Sequence, residues 1–390
     1  MREDSSIVDR TTTGRREGRV VRVDRPRLGL IFGGRSGEHE ISVLSARSVY
    51  RAAVDGGFEV VGVGIARDGK WVFMGDCREF LGGQGVEVTP QMGPACAILP
   101  DLSKRGIWVD GPSASLKIEV DAVFPVLHGL YGEDGAIQGL LELSGIPYVG
   151  APPLASAICM DKGTTKRLLQ AHGVPHVSAL SVERSAWRTR RDEALSQLSG
   201  LVTPPVFVKP SGSGSSLGVT KVKNLDDLPR ALDSAFLYDT KALVEPSQEG
   251  FLEIECSVLG NDEPRASLAG QILPSREFYD YEAKYLDENT KLAIPAPLCP
   301  ALMKRVQEVA IAAYKATECR GMARVDFFVD PVRGEAYVSE LNTIPGFTAI
   351  SMYPKLWEVS GLPFPALVKT LVDLAIERQR SEVKEVRREG

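Results

Sequence analysis

Two neighbouring apolar segments in the last third of the chain carry charges where a strand interior normally has none. They are Ala323-Arg324-Val325-Asp326-Phe327-Phe328-Val329-Asp330 and Ala336-Tyr337-Val338-Ser339-Glu340-Leu341-Asn342. A charge in an apolar strand needs a partner, because removing its water without replacing it is costly. Side chains two apart on a strand share a face, so Glu340 and Asn342 project together and Asp326 can meet them from the adjoining strand. Three oxygen ligands then converge. Carboxylate and amide oxygens suit one or two Mg²⁺ ions bridging the phosphates of a nucleotide. The plainer alternative is an ordinary hairpin with polar residues on its wet face. Arg324 and the following Pro345-Gly346 crowd further unusual residues into the same place and argue against it.

A chain of 390 residues is too long for one ordinary core and reads as two or three domains of roughly 100–150 residues each. The net charge of −5, with 43% hydrophobic and 25% charged residues, is that of a soluble globular protein and leaves no basic footprint for nucleic acid. Cys77, Cys96, Cys159, Cys256, Cys299 and Cys319 are scattered, without a Cys-x-x-Cys pair, and read as reduced thiols of a cytoplasmic protein. No apolar run of about 18 residues occurs, so no membrane span is expected. Residues 1–27 are rich in arginine but interspersed with acids and lack the apolar stretch of a secretory signal; they read as a disordered extension.

The first ordered element expected is a strand at 28–32, followed by a glycine turn and a helix at about 41–53. Strands at 59–66 and 70–74 flank Asp68-Gly69, a hairpin signal, and 122–127 is a further buried strand. Residues 28–150 are therefore an α/β domain. A helix from about 154 through Lys162 to 171, with strands at 206–209 and 218–222, suggests a small α+β domain at 151–243. The last third of the chain opens with strands at 242–245 and 253–260 and adds strands at 322–329 and 335–340, with helices near 302–317 and 364–377; its domain is set at 244–380. A charged tail, 381–390, follows.

The segment Ser211-Gly212-Ser213-Gly214-Ser215-Ser216 has a composition also found in flexible linkers. Linkers join polar ends, however, and this segment joins apolar strands. It reads as a hairpin tip whose backbone N–H groups cradle phosphate, with Lys209 and Lys162 supplying positive charge. Gly33-Gly34-Arg35-Ser36-Gly37-Glu38 lacks the G-x-G-x-x-G spacing, which removes the case for a hydride-transfer enzyme. Glu38, near a helix start, either complements the helix dipole or binds an amino group. His128 follows a strand and precedes Gly132-Glu133-Asp134-Gly135; a histidine in such a loop is read as functional. Phe278-Tyr279-Asp280-Tyr281-Glu282-Ala283-Lys284-Tyr285 reads as a loop that closes over a bound molecule.

These motifs together resemble the D-alanine:D-alanine ligase family. The resemblance rests on His-Gly-Leu-Tyr-Gly-Glu-Asp-Gly at 128–135, Met160-Asp161-Lys162, Glu-Phe-Tyr-Asp-Tyr-Glu-Ala-Lys-Tyr at 277–285 and Glu-Leu-Asn-Thr-Ile-Pro-Gly at 340–346, and extends over 28–376. It implies the three-domain ATP-grasp fold, with ATP between the middle and C-terminal domains, and a cytoplasmic homodimer making D-alanyl-D-alanine for peptidoglycan. It also implies roles. Glu38 would lie near the first amino group, in a hydrogen-bonded triad with Ser215 and Tyr285. Lys162, Lys209, Lys284 and Ser216 would meet phosphates, and Glu245 and Glu253 the adenosine. Asp326, Glu340 and Asn342 would hold two Mg²⁺ ions, with Mn²⁺ as a substitute. Arg324 and the Gly346 N–H would stabilise the tetrahedral intermediate, Ser351 would bind the second carboxylate, and His128 would orient the substrates.

Two departures from the family pattern stand out. Gly212-Ser213 replaces a pair such as Arg-Glu in the phosphate loop, removing a charge, and Pro246 stands where a residue with a free N–H is common. D-Serine or D-lactate are alternative second substrates; Tyr285 argues against lactate, since ester-forming relatives tend to carry phenylalanine there. A nucleotide-binding regulatory protein without catalysis is the alternative of another class, and a mere binder has no use for Arg324 as an oxyanion donor.

Overall fold

The computed structural model describes residues 25–214, 217–273 and 291–381. Its N-terminal part begins with β1 (Arg27–Gly33), buried from Leu28 onward, as the unbroken apolar run of a central parallel strand requires. Gly33 and Gly34 follow with φ of +92° and +104°, and a Cβ on Gly33 would lie 2.3 Å from the Ile65 carbonyl oxygen, so glycine alone fits this turn into α1 (His39–Asp55). β2 (Glu59–Ile65) and β3 (Trp71–Gly75) form the hairpin expected around Asp68-Gly69. Then come α2 (Arg78–Gly82), β4 (Cys96–Ile98), β5 (Ile107–Val109), β6 (Leu116–Ile118), β7 (Ala122–Val126), α3 (Ala136–Ser144) and α4 (Pro153–Met160). The main sheet has the order β3-β2-β1-β7, with β1 parallel to both β2 and β7, and β4-β5-β6 form a small sheet beside it.

One continuous helix was expected through residues 154–171, but the structure breaks it at Asp161. That residue is extended (φ −86°, ψ 94°), and its side chain accepts from the Thr164 N–H at 2.9 Å, capping a new helix, α5 (Lys162–Ala171). A short acid that competes for backbone donors starts a helix more readily than it sits inside one. The middle part continues with β8 (Leu180–Glu183), α6 (Arg184–Thr189), α7 (Arg191–Leu201), β9 (Val206–Pro210), β10 (Thr220–Val222), α8 (Leu228–Ala235) and β11 (Lys241–Pro246). Its antiparallel sheet runs β10-β9-β11-β8. The boundary expected between 243 and 244 falls inside β11, which pairs with β9 as far as Pro246.

The C-terminal part contains β12 (Leu252–Gly260), β13 (Arg265–Leu273), β14 (Lys291–Ala293), α9 (Pro300–Ala316), β15 (Gly321–Asp330), β16 (Glu335–Asn342), α10 (Met352–Val359) and α11 (Phe364–Ser381). Its five-stranded sheet has the order β14-β13-β12-β15-β16. The α/β and α+β layers share their cores unevenly. Leu30, Val43 and Phe124 from the N-terminal part bury against Phe347, Trp357 and Leu371 from the C-terminal part in one continuous core. The middle sheet has a core of its own, around Trp187, Val206 and Leu232. Among the described residues no single helix is long and apolar enough to cross a membrane.

Candidate active site

Between the middle and C-terminal sheets lies a cleft of about 550 Å³, lined by Phe207 and Lys209 of β9, Glu245 of β11, the 246–251 connection, and residues of β12, β15 and β16. Register determines which side chains meet there. Asp326 lies directly opposite Glu340 on one side and Glu255 on the other, so three carboxylates form a row across β12, β15 and β16. Two residues along the same face, Arg324 lies between Ser257 and Asn342. Arg324 binds Asp326 in bidentate fashion, at 2.7 and 2.8 Å, and approaches Glu255 at 3.2 Å. Lys162 reaches Glu340 at 3.2 Å. Among the described residues, Glu255, Asp326 and Glu340 thus meet Arg324 and Lys162. Among the described residues no three His, Cys, Asp or Glu side chains form a ready-made metal site. Asp326, Glu340 and the amide of Asn342 carry oxygen donors of the kind a hard divalent cation takes.

The glycine-serine segment expected to cradle phosphate is tied down at its stem. Ser211 accepts from the Gly163 N–H at 3.1 Å and donates to Asp161 at 2.7 Å, while its carbonyl accepts from the Lys162 N–H. Lys241 completes the cluster, 2.6 Å from Asp161. Burial alone would raise the Asp161 pKa, but Lys241, Thr164 and Ser211 outweigh it and hold it at about 2. Gly212, the first residue of the Gly212-Ser213 pair, donates its N–H to Asp239 at 2.6 Å, which anchors the segment there. Lys162 Nζ donates to the Ser213 carbonyl at 2.8 Å. Its burial disfavours the charged form, yet Glu340 first, then Glu245 and Glu133, keep its pKa above the usual lysine value. Glu245 is buried between Lys209, at 2.8 Å, and Lys166, at 3.2 Å. Burial pushes Lys166 down to about 8 against the pull of Glu245.

Across the acid row lies a second, buried polar group. His128 Nδ1 faces the Ile344 carbonyl at 3.1 Å and Glu133 at 3.6 Å, and its Nε2 faces Ser45 at 2.9 Å. Burial alone would lower the His128 pKa; the hydrogen bond and charge of Glu133, then Glu38, turn the net shift upward. Glu133 is itself raised, by burial first and Glu38 second, against the opposing effect of His128. Glu38 packs so closely on Gly129 that a Cβ there would lie 2.5 Å from its Oε2. A Cβ on Gly214 would lie 3.4 Å from the same oxygen, so the backbone at Gly214 lies close to Glu38. Gly346 and Ser351 are adjacent: a Cβ on Gly346 would sit 2.7 Å from Ser351 Oγ, which accepts from the Thr348 N–H.

The structure thus holds a cleft lined by charged side chains and a buried acid-histidine cluster joined to β16 through the Ile344 carbonyl, and family models match most of the chain. Residues 27–151 match the model of the D-ala D-ala ligase N-terminus, and residues 168–373 that of the D-ala D-ala ligase C-terminus. The chain belongs to the D-alanine–D-alanine ligase family. A ligase of this family from Caldicellulosiruptor bescii is 46% identical over 91% of this chain and 96% of its own length. That of Natranaerobius thermophilus is 44% identical over the same shares. Among solved structures, the D-Ala:D-Ser ligase of Enterococcus faecalis matches with a TM-score of 0.80 and 36% identity over 90% of this chain and 99% of that one. The D-alanine-D-alanine ligase of Coxiella burnetii gives 0.77 and 35% over 92% and 97%.

Of the family residues expected from sequence, Lys162, Lys209, Glu245, Glu253, Asp326 and Glu340 line the cleft, Arg324 and Asn342 pair beside it, and Glu38 and His128 share the buried cluster. Ser215, Ser216, Lys284 and Tyr285, like the N-terminal extension through residue 24 and the tail from 382, lie outside the described residues. Asp161, Lys166, Glu255, Glu133 and Ser45 were not singled out, although Asp161 and Glu133 stand inside motifs that were.

Proposed function

We infer that the chain joins two D-alanine molecules into D-alanyl-D-alanine, driven by ATP through a D-alanyl phosphate, with release of ADP and phosphate, for peptidoglycan precursor synthesis. The observation that carries this reading is the continuity of the site. The acid row below the phosphate loop leads, through Asn342 and Ile344, to a histidine hydrogen-bonded to the Ile344 carbonyl.

In this reading ATP occupies the cleft, with its adenosine toward Glu245 and Glu253 and its phosphates toward Lys162, Lys209 and the glycine-serine loop, joined by Ser216 and Lys284. Asp326, Glu340 and Asn342 would hold Mg²⁺, two ions, or Mn²⁺ in their place. Bound metal supplies neutralisation of phosphate charge and a more electrophilic γ-phosphorus. Glu38, with Ser215 and Tyr285 as the expected members of its triad, binds the first amino group and turns its carboxylate toward the nucleotide. The carboxylate oxygen takes the γ-phosphoryl group and ADP leaves; the second amine then attacks the acyl carbon and phosphate leaves. Arg324 and the Gly346 N–H stabilise the oxyanion of that second step, a contribution of about 3–4 kcal/mol for one such donor. Ser351 receives the second carboxylate and His128 orients both substrates. The protein works as a cytoplasmic homodimer.

Incubation with Mg-ATP and D-alanine, alone and with D-serine or D-lactate, tests this. Mass spectrometry should find D-alanyl-D-alanine with equimolar ADP. Absence of any dipeptide sinks the reading, and a dominant mixed product with D-serine moves the second substrate to that amino acid.

A further inference from the structure

Ser45 is fully buried on α1 and touches two loops at once. Its Oγ lies 2.9 Å from His128 Nε2 and accepts from the backbone N–H of Phe347 at 3.2 Å. We propose that Ser45 is a positioning residue of the ligation reaction, which locks the His128 ring and the Gly346–Phe347 peptide plane to each other. The proposal rests on the ligase reading above.

The hydrogen-bond inventory gives the lock a direction. A hydroxyl carries one proton. In the proposed lock the Phe347 N–H occupies one acceptor site of the oxygen, the hydroxyl proton points to His128 Nε2, and that nitrogen is the unprotonated, accepting one. The imidazole proton is left on Nδ1, where it faces the Ile344 carbonyl at 3.1 Å. Both ring nitrogens are thus committed to the 344–347 segment, one directly and one through Ser45. The segment has no slack. The Phe347 ring meets Phe124 and Tyr353 edge-on, at 5.4 and 5.5 Å, and stacks on Phe364 at 6.0 Å. Loss of the Ser45 hydroxyl therefore leaves the Phe347 N–H without this partner and lets the imidazole turn, while the packed ring prevents the backbone from following.

The same helix supplies a control. Ser42, also fully buried, donates to the Val126 carbonyl and accepts from the Gly33 N–H at 2.8 Å, so its hydroxyl serves backbone of β1 and β7 alone. Both serines hold buried backbone, but Ser45 also holds His128.

The test compares Ser45→Ala with Ser42→Ala in D-alanyl-D-alanine synthesis, against thermal midpoint, KM for ATP and the pH profile of kcat. Both variants should melt earlier by similar amounts. Ser45→Ala alone should lose kcat, by roughly 10- to 30-fold for a lost positioning hydrogen bond, with KM for ATP unchanged. Among the described residues, the charged groups acting on His128 are Glu133 and Glu38. Because the hydroxyl proton opposes a proton on Nε2, its removal should move the acid limb of the profile to higher pH. Ser45→Cys, with a weaker donor of similar size, should recover part of kcat. In a cycle with His128→Gln, the second substitution should add little. Equal kcat in Ser45→Ala and Ser42→Ala, or full additivity with His128→Gln, overturns the proposal. Should Ser45→Ala fail to fold, an undiminished kcat in Ser45→Cys overturns it. An inactive wild type instead refutes the ligase reading, so the two failures are distinguishable.

Discussion

Asp161→Asn tests whether the phosphate loop is held from its stem. The carboxylate caps α5, binds the Ser211 hydroxyl and pairs with Lys241. The fall in its pKa from the ordinary 3.8 to about 2 corresponds to roughly 2.4 kcal/mol. Its side chain is 33% exposed, and solvent screening reduces that to about 1–1.5 kcal/mol. The native-state pKa is the lower one, so the unfolded chain binds more protons and stability rises with pH through this window. The contribution is complete above about pH 5, about half remains near pH 3, and it is gone below about pH 2. Asparagine keeps an acceptor for Thr164 and Ser211 but offers Lys241 no charge. Urea titrations of wild type and variant at pH 7, 5 and 3 should show equal gaps at the first two and a gap about half as large at the third. KM for ATP should rise several-fold, since the Lys162 N–H and the loop share the Ser211 anchor, with kcat less affected. A gap that stays constant down to pH 3, or an unchanged KM for ATP, refutes the reasoning.

Glu340→Gln should abolish dipeptide formation while leaving the circular dichroism spectrum unchanged; undiminished turnover would refute its role as metal ligand. Glu133→Gln removes the group that counters the burial of His128, so the imidazole should lose its proton at lower pH and the acid limb of kcat should move down; a limb that stays fixed assigns it to another group. Gly129→Ala puts a methyl group on a φ of +72° and against Glu38 Oε2. It should lower kcat/KM for D-alanine at least tenfold and destabilise the fold by about 1–2 kcal/mol, with KM for ATP unchanged, as initial-rate kinetics would show.

The acid hairpin of β15 and β16 was legible because charges inside apolar strands have few explanations, and a spacing of two specifies a shared face. Glu255 was not, because it joins that row only through the pairing of β12 with β15, a contact between distant parts of the chain. Asp161 was hidden by the helical pattern on either side of it; its capping signal competes with good helix formers and was read as continuity. Lys166, one turn beyond Lys162, looks like any helix lysine until Glu245 arrives from β11. Ser45 has no local signal, since a small polar residue on a buried helix face is as consistent with packing as with function. β13 was missed because Ala-Ser-Leu-Ala-Gly has little of the β-branched and aromatic content by which strands are recognised.

The core shared by the N-terminal part with α10 and α11 also governs how the chain can be divided. A fragment cut after residue 151 would expose the face that Leu30, Val43 and Phe124 turn toward Phe347, Trp357 and Leu371, and would aggregate or remain unfolded. Residues 180–246, with a core of their own, are the natural unit for transplantation. Chimaeras between relatives should therefore exchange residues 180–246 more readily than residues 27–151, which have to travel with the last two helices of their own parent.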